Sequence, residues 1–172
     1  TRCVPLNPLA VSSIDIAMWD GYAKHHQKPL CEVLGKKRDK IKSYASTPLF
    51  HSIEEYINFV KDLHSQNFQT IKFHTWCELE FDLEMVSQVC PQFPEIEFMI
   101  DCEQRYLRDD ALRLGRKLDE LKFVWMEAPF NDYDWDSYTW LREKIATPVL
   151  GAGNSLLNPY QIDQALKEDV FH

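Results

Sequence analysis

The sequence predicts an α/β fold of successive βα units, of the kind that closes into a (β/α)₈ TIM-type barrel, and three observations carry that prediction. Short apolar runs of strand length recur down the chain, and helical apolar patterns lie between them. The later runs end in polar groups: Lys72-Phe73-His74, Asp101-Cys102-Glu103, Glu127 and Gly153-Asn154, spaced 26 to 29 residues apart. That interval fits one strand, one helix and their loops. Parallel strands joined by helices bring all their C-terminal ends to one face, where barrels of this kind do chemistry.

The elements follow in order. A leading helix is expected over residues 8–28, with Val11, Ile14, Met18 and Tyr22 at helical spacing. Pro29-Leu30 ends it and Gly35 opens a turn. The βα units start near residue 41, with Ile41–Ser46 as the first strand. Ser52 and Glu55 form a capping box for a helix with the apolar stripe Ile53, Tyr56, Ile57, Val60 and Leu63. Strand Thr70–His74 precedes a helix carrying Leu83, Val86 and Val89. Strand Glu97–Asp101 precedes one carrying Ala111, Leu114, Leu118 and Leu121. Strand Phe123–Glu127 precedes Tyr138, Leu141 and Ile145. Strand Pro148–Ala152 precedes a helix starting at Asn158-Pro159, where proline suits the first turn.

These are about the first five βα units, whereas a complete barrel has eight strands and about 250 residues. A sixth strand is expected to begin near Asp169-Val170-Phe171-His172. Five parallel strands alone leave two unpaired edges. The expectation is therefore a longer polypeptide, or strands supplied by another chain. No low-complexity linker or internal boundary interrupts residues 1–172, so they read as one partial barrel domain.

Composition narrows the function. The 172 residues are 45% hydrophobic and carry a net charge of −8, with Lys and Arg scattered. Nucleic-acid binding wants a basic stripe, and no apolar run approaches a membrane span. The five cysteines (Cys3, Cys31, Cys77, Cys90, Cys102) cannot all pair and form no CxxC motif. They read as reduced thiols, and with no charged, apolar leader in view the expected location is the cytoplasm. Cys102, between Asp101 and Glu103, is expected to point away from the mouth.

At the mouth, two carboxylates, an amide oxygen, a lysine and a histidine converge, which is the makeup of a metal-assisted acid/base site. Asp101 and Glu127 offer the hard oxygens that Mg²⁺ prefers. Asn154 either ligates through its neutral oxygen or caps the loop after a glycine-rich turn. Glu103, two residues after Asp101, is expected on the same strand face, where it would restore negative charge to the metal or meet substrate. Lys72 and His74 share a face by the same alternation, and two such neighbours are expected to lower each other's pKa, suiting His74 as a base near neutral pH. His25, His26, His51 and His64 read as surface residues without carboxylate partners. Trp125, Trp135, Trp140, Tyr133 and Tyr138 read as helix-packing aromatics. Asp132, Asp134 and Asp136 lack the glycine and terminal Glu of a calcium loop and read as a solvated loop or helix cap.

In these residues the chain resembles the enolase superfamily, in its mandelate racemase/muconate lactonizing branch. The resemblance starts at Ser13-Ile14-Asp15-Ile16-Ala17-Met18-Trp19-Asp20, Lys28-Pro29-Leu30 and Leu34-Gly35. It continues through Lys72-Phe73-His74, Asp101-Cys102-Glu103, Trp125-Met126-Glu127-Ala128-Pro129 and the stretch from Pro148 to Asn154. Three positions depart from the family pattern: His74 replaces its second lysine, Asn154 its third metal carboxylate, and Glu103 its asparagine. The resemblance implies an N-terminal capping domain and late barrel strands, neither found in these residues. It also implies a homo-oligomer and a Mg²⁺-dependent enzyme that removes the proton α to a carboxylate, giving an enediolate. The metal ligands would be Asp101, Glu127 and Asn154, with Glu103 on metal or substrate. His74 would be the base, and Lys72 would hold the substrate carboxylate. Dehydration of an acid sugar or related hydroxy acid is the expected lyase reaction. Racemisation, epimerisation or cycloisomerisation is the alternative within the family, and a catalytically inactive fragment with a binding or structural role is the alternative outside it.

Overall fold

The computed structural model describes residues 8–172, in two compact units that divide after Lys42. Cys3 lies outside the described residues. In the first unit, helix α1 (Pro8–His25) is followed by the short helix α2 (Leu30–Val33). The leading helix stops three residues earlier than residue 28, because Pro29 starts α2 instead of ending α1. Gly35 takes φ +81°, the turn expected there. Met18 (69%) and Ile14 (63%) of the α1 apolar stripe are exposed.

The second unit, Ser43–His172, is a five-stranded parallel sheet in the order β1-β2-β3-β4-β5, its strands joined by helices. The strands are β1 (Ala45–Ser46), β2 (Thr70–His74), β3 (Glu97–Asp101), β4 (Met126–Glu127) and β5 (Val149–Leu150). The helices are α3 (Ile53–Ser65), α4 (Leu79–Val89), α5 (Arg108–Leu121), α6 (Trp135–Arg142) and α7 (Pro159–Lys167). Both β2 and β3 have the expected bounds. The first strand is shorter than Ile41–Ser46, because only Ala45 and Ser46 find ladder partners, Ile71 and Lys72. Ile41 is exposed. Likewise β4 and β5 keep only the residues that pair on the ladder.

Local chemistry fixes the helices. Ser52 and Glu55 make the reciprocal capping box of α3. Asn158 caps α7 ahead of Pro159, and Asp134 caps α6. At the other end of the sheet Asp119 accepts from Ala146 N–H, Thr147 N–H and the Thr147 hydroxyl, fixing the approach to β5. The core lies between sheet and helices: Phe73, Phe98, Ile100 and Met126 meet Tyr56, Val60, Met85, Val86, Leu114, Leu118 and Leu141. Phe73 and Phe98 stack with centroids 5.1 Å apart. Tyr138 and Ile145 are buried as expected. Beyond α7, Val170 is buried and His172 N–H donates to Val149 O, so the chain returns to the edge of β5 where a further strand was expected. Cys31, Cys77, Cys90 and Cys102 are free thiols, and Cys102 is buried. Among the described residues no helix is long and apolar enough to cross a membrane.

Candidate active site

Parallel register sets the site. His74 pairs with Asp101, Asp101 with Glu127 and Glu127 with Leu150, so the last residues of β2, β3 and β4 stand in one row. Strand alternation turns Ile71 and Phe73 into the core and leaves Lys72 and His74 on the opposite face. There the Lys72 ammonium lies 2.7 Å from Glu127 Oε2 and 3.3 Å from Asp101 Oδ2. His74 Nε2 approaches the same Asp101 oxygen at 3.3 Å. The sequence-predicted lysine, histidine and two carboxylates are thus one connected group.

His74 is held from three sides. Its N–H donates to Thr47 Oγ1 at 2.9 Å, and its carbonyl accepts from the Tyr56 hydroxyl at 2.6 Å. Its ring Nδ1 lies 3.1 Å from the Thr47 carbonyl. A carbonyl only accepts, so Nδ1 carries a hydrogen and Nε2 is the ring atom turned to the mouth. Lys72 packs over the Tyr44 ring, and Tyr44 meets Trp125 edge-on. Trp125, two residues before Glu127, therefore faces the mouth side, where it was expected to pack a helix.

The electrostatics correct one expectation. Lys72 and His74 do not lower each other below their ordinary pKa values. Burial works against the Lys72 ammonium, but the hydrogen bond and charge of Glu127, with the charge of Asp101, outweigh it and raise the pKa. His74 is raised by its hydrogen bond to Asp101, which with the Asp101 charge and the Thr47 carbonyl outweighs burial and the Lys72 charge. Burial works to raise Asp101, but His74, the Glu103 N–H and the Lys72 charge hold it below the usual carboxylate value. The carboxylates dominate because Asp101 touches both bases and Glu127 holds Lys72 from its other side.

Glu103 reaches the group by another route than expected. The strand ends at Asp101, and Glu103 takes left-handed backbone (φ +49°), its N–H donating to Asp101 Oδ1 at 3.1 Å. Ligating atoms of His74, Asp101 and Glu103 lie within 4.8 Å of one another. Left-handed non-glycine residues follow three strands in succession: Cys77, then Glu103 and Gln104, then Ala128. Such backbone is disfavoured and collects where a site needs particular loop shapes.

Asn154 is placed through its backbone. Its N–H donates to Asp132 Oδ2 at 2.5 Å and its carbonyl accepts from the Tyr133 hydroxyl at 3.3 Å, while the side chain is exposed. Asp132 is fully buried, where a solvated loop was expected. Its Oδ1 also accepts from Ala152 N–H (2.9 Å) and the Tyr138 hydroxyl (3.1 Å), and its own N–H donates to Gln104 Oε1 (3.0 Å). It ties together the loops after β3, β4 and β5. Sequence reasoning missed this role because the donors come from three separate loops. Tyr133 is exposed, not helix-packing. Trp135 and Trp140 pack against the core as expected. His64 lies at the surface but does have a carboxylate partner, Glu95, at 2.9 Å.

Residues 55–172 match the family model of enolase C-terminal domain-like proteins. A mandelate racemase/muconate lactonizing enzyme-type protein from Pseudovibrio sp. superposes with a TM-score of 0.92 at 34% identity, over 99% of this chain and 46% of that one. The structure of an L-talarate/galactarate dehydratase variant, liganded with Mg and L-glucarate, superposes with a TM-score of 0.80 at 26% identity, over 92% and 41%. The o-succinylbenzoate synthase of Listeria innocua serovar 6a is 27% identical over 143 residues, 83% of this chain and 37% of that protein. The chain spans less than half the length of each of these proteins.

Proposed function

The chain belongs to the family of enolase C-terminal domain-like proteins, and on that basis we propose that it carries half of the active site of a Mg²⁺-dependent enzyme that removes the proton α to a carboxylate. Dehydration of an acid sugar or related hydroxy acid is the reaction we favour. The observation that carries this reading is the row His74, Asp101, Glu127 at adjacent strand ends, with Lys72 reaching both carboxylates.

The donors fit a hard dication. Asp101 and Glu127 already converge on one cationic centre, the Lys72 ammonium, and ionised carboxylates are the oxygens Mg²⁺ prefers. Asn154, at the end of the next strand's loop, is the third candidate ligand, and Glu103 serves the metal or a substrate hydroxyl. Bound Mg²⁺ supplies positive charge at the substrate carboxylate, which lowers the cost of the enediolate. The L-talarate/galactarate dehydratase variant, which holds Mg and an acid sugar, supports both the metal and the substrate class.

The chain's own groups then have distinct tasks. Lys72, released from Glu127 by substrate, pairs its ammonium with the substrate carboxylate. His74 takes the α-proton at Nε2, since Nδ1 is committed to Thr47. Loss of the β-hydroxyl as water, protonated from a group outside these five strands, leaves an enol that tautomerises to a 2-keto acid. The likeness to the D-galactarolactone cycloisomerase of Agrobacterium fabrum, 26% identical over 167 residues, favours a second reading in which the same proton removal feeds racemisation, epimerisation or cycloisomerisation. The free thiols fit a cytoplasmic enzyme acting on a small hydroxy-carboxylate, working as a homo-oligomer.

Incubating the protein with Mg²⁺ and a panel of acid sugars in D₂O tests the reading. A 2-keto acid, absent with His74→Gln, is the expected product. Deuterium at the α-carbon without net water loss would replace dehydration by racemisation or epimerisation, and no exchange with any acid would overturn proton abstraction.

A further inference from the structure

The departure of His74 from the family's lysine has a chemical consequence. A protonated lysine cannot ligate a metal, whereas a neutral imidazole can. The His74 ring donates Nδ1–H to the Thr47 carbonyl, the arrangement by which metal-binding histidines are oriented. Its Nε2 faces Asp101 Oδ2 at 3.3 Å, and in metal-free protein the hydrogen bond described above fills that gap. Two electron-rich atoms at that distance repel unless a proton or a cation lies between them. For metal–ligand distances of about 2.1 Å, neighbouring ligands sit about 3.0 Å apart in octahedral and about 3.4 Å apart in tetrahedral geometry, so the observed edge fits. Glu103, an exposed residue, brings a third donor within 4.8 Å.

We propose that His74 Nε2, Asp101 and Glu103 form a second dication site, selective for borderline metals of the zinc class, that competes with the oxygen-only pair Asp101–Glu127. Imidazole suits zinc, whereas Mg²⁺ favours oxygen. One neutral and two anionic ligands balance the dication. Because Asp101 is shared, zinc displaces Mg²⁺, and Lys72 keeps its shorter contact to Glu127. Zinc also takes the lone pair assigned above to proton removal and so inhibits. That inhibition rests on the proposed function; the site itself does not.

The test is calorimetric titration of Zn²⁺ and, separately, Mg²⁺ into the full chain carrying Cys3→Ser, Cys31→Ser and Cys77→Ser, which leaves only the buried thiols Cys90 and Cys102. His74→Gln and Glu103→Gln are compared on that background, with folding checked by circular dichroism. The expected result is one Zn²⁺ site whose affinity falls at least about tenfold in each variant, while Mg²⁺ affinity in His74→Gln changes less than about twofold. Glu103→Gln, at an exposed residue, keeps the test decisive if His74→Gln misfolds. Zinc affinity unchanged by both variants, or Zn²⁺ and Mg²⁺ affinities falling together in His74→Gln, would overturn the second site. Loss of Mg²⁺ binding alone would count against the proposed function and leave the zinc site standing.

Discussion

His74 Nε2 lies 3.3 Å from Asp101 Oδ2 across a register pair that joins the last residues of β2 and β3. The contact makes each group a determinant of the other's protonation. Asp101 raises His74 above its ordinary value, and His74 helps hold Asp101 below its own.

In metal-free protein, the His74 stabilisation is full below the unfolded histidine value of about 6.5 and is lost as pH rises through the higher folded value. Asp101 contributes above the ordinary carboxylate range and loses its contribution as pH falls through its folded value. NMR titration of the His74 ring is expected to show the raised pKa, and Asp101→Asn to bring it down. A His74 pKa indifferent to Asp101→Asn would remove the coupling.

Lys72 separates two partly buried carboxylates. Lys72→Met is expected to destabilise metal-free protein by about 1–3 kcal/mol, because Glu127 loses its ammonium partner and Asp101 keeps only His74 and the Glu103 N–H. Millimolar Mg²⁺ is expected to restore much of that loss by binding the folded state. Urea denaturation with and without Mg²⁺ measures both; a loss that Mg²⁺ cannot restore would mean that Lys72 does more than balance charge.

Asp132→Ala strips acceptors from Ala152 N–H, Asn154 N–H and the Tyr138 hydroxyl at once. A cost of about 2–4 kcal/mol is expected. Hydrogen exchange is expected to quicken at Ala152 and Asn154 first. Uniform acceleration across the sheet would instead mark Asp132 as a global core residue.

Asp82 is buried in α4, and its Oδ2 accepts from Thr75 and Tyr106 while Oδ1 has no hydrogen-bond partner among the described residues. Burial pushes its carboxyl up to about 6, against the two hydrogen bonds. A raised folded value favours the protonated, folded protein, so its contribution is full below the ordinary carboxylate value and is lost as pH rises through about 6. Asp82→Asn is expected to flatten that part of the stability–pH profile, read from melting temperatures between about pH 4 and 7. A profile unchanged by the substitution would show that Asp82 does not titrate there.

The sequence carried the strands that pair over five residues, β2 and β3, because alternation and apolar content coincide there with full ladders. It overextended the first strand, since Ile41 has strand propensity but no partner. The convergence of Lys72, His74, Asp101 and Glu127 was legible because strand-end spacing maps directly onto register. Glu103 was placed near Asp101 for the wrong reason: alternation fails at a left-handed turn that nothing in Asp-Cys-Glu announces. The raised pKa values of Lys72 and His74 were not legible, because they depend on carboxylates distant in sequence: Asp101 for both, and Glu127, 55 residues on, for Lys72. Asp132 was invisible for the same reason, its donors being assembled only by the fold.

The central claim is that Asp101 and Glu127 hold the catalytic dication, and Mg²⁺ titration followed by thermal shift tests it most directly. The expected result is saturable stabilisation by millimolar Mg²⁺ that disappears in both Asp101→Asn and Glu127→Gln. Stabilisation that survives both substitutions, or none in the unsubstituted chain, would contradict it.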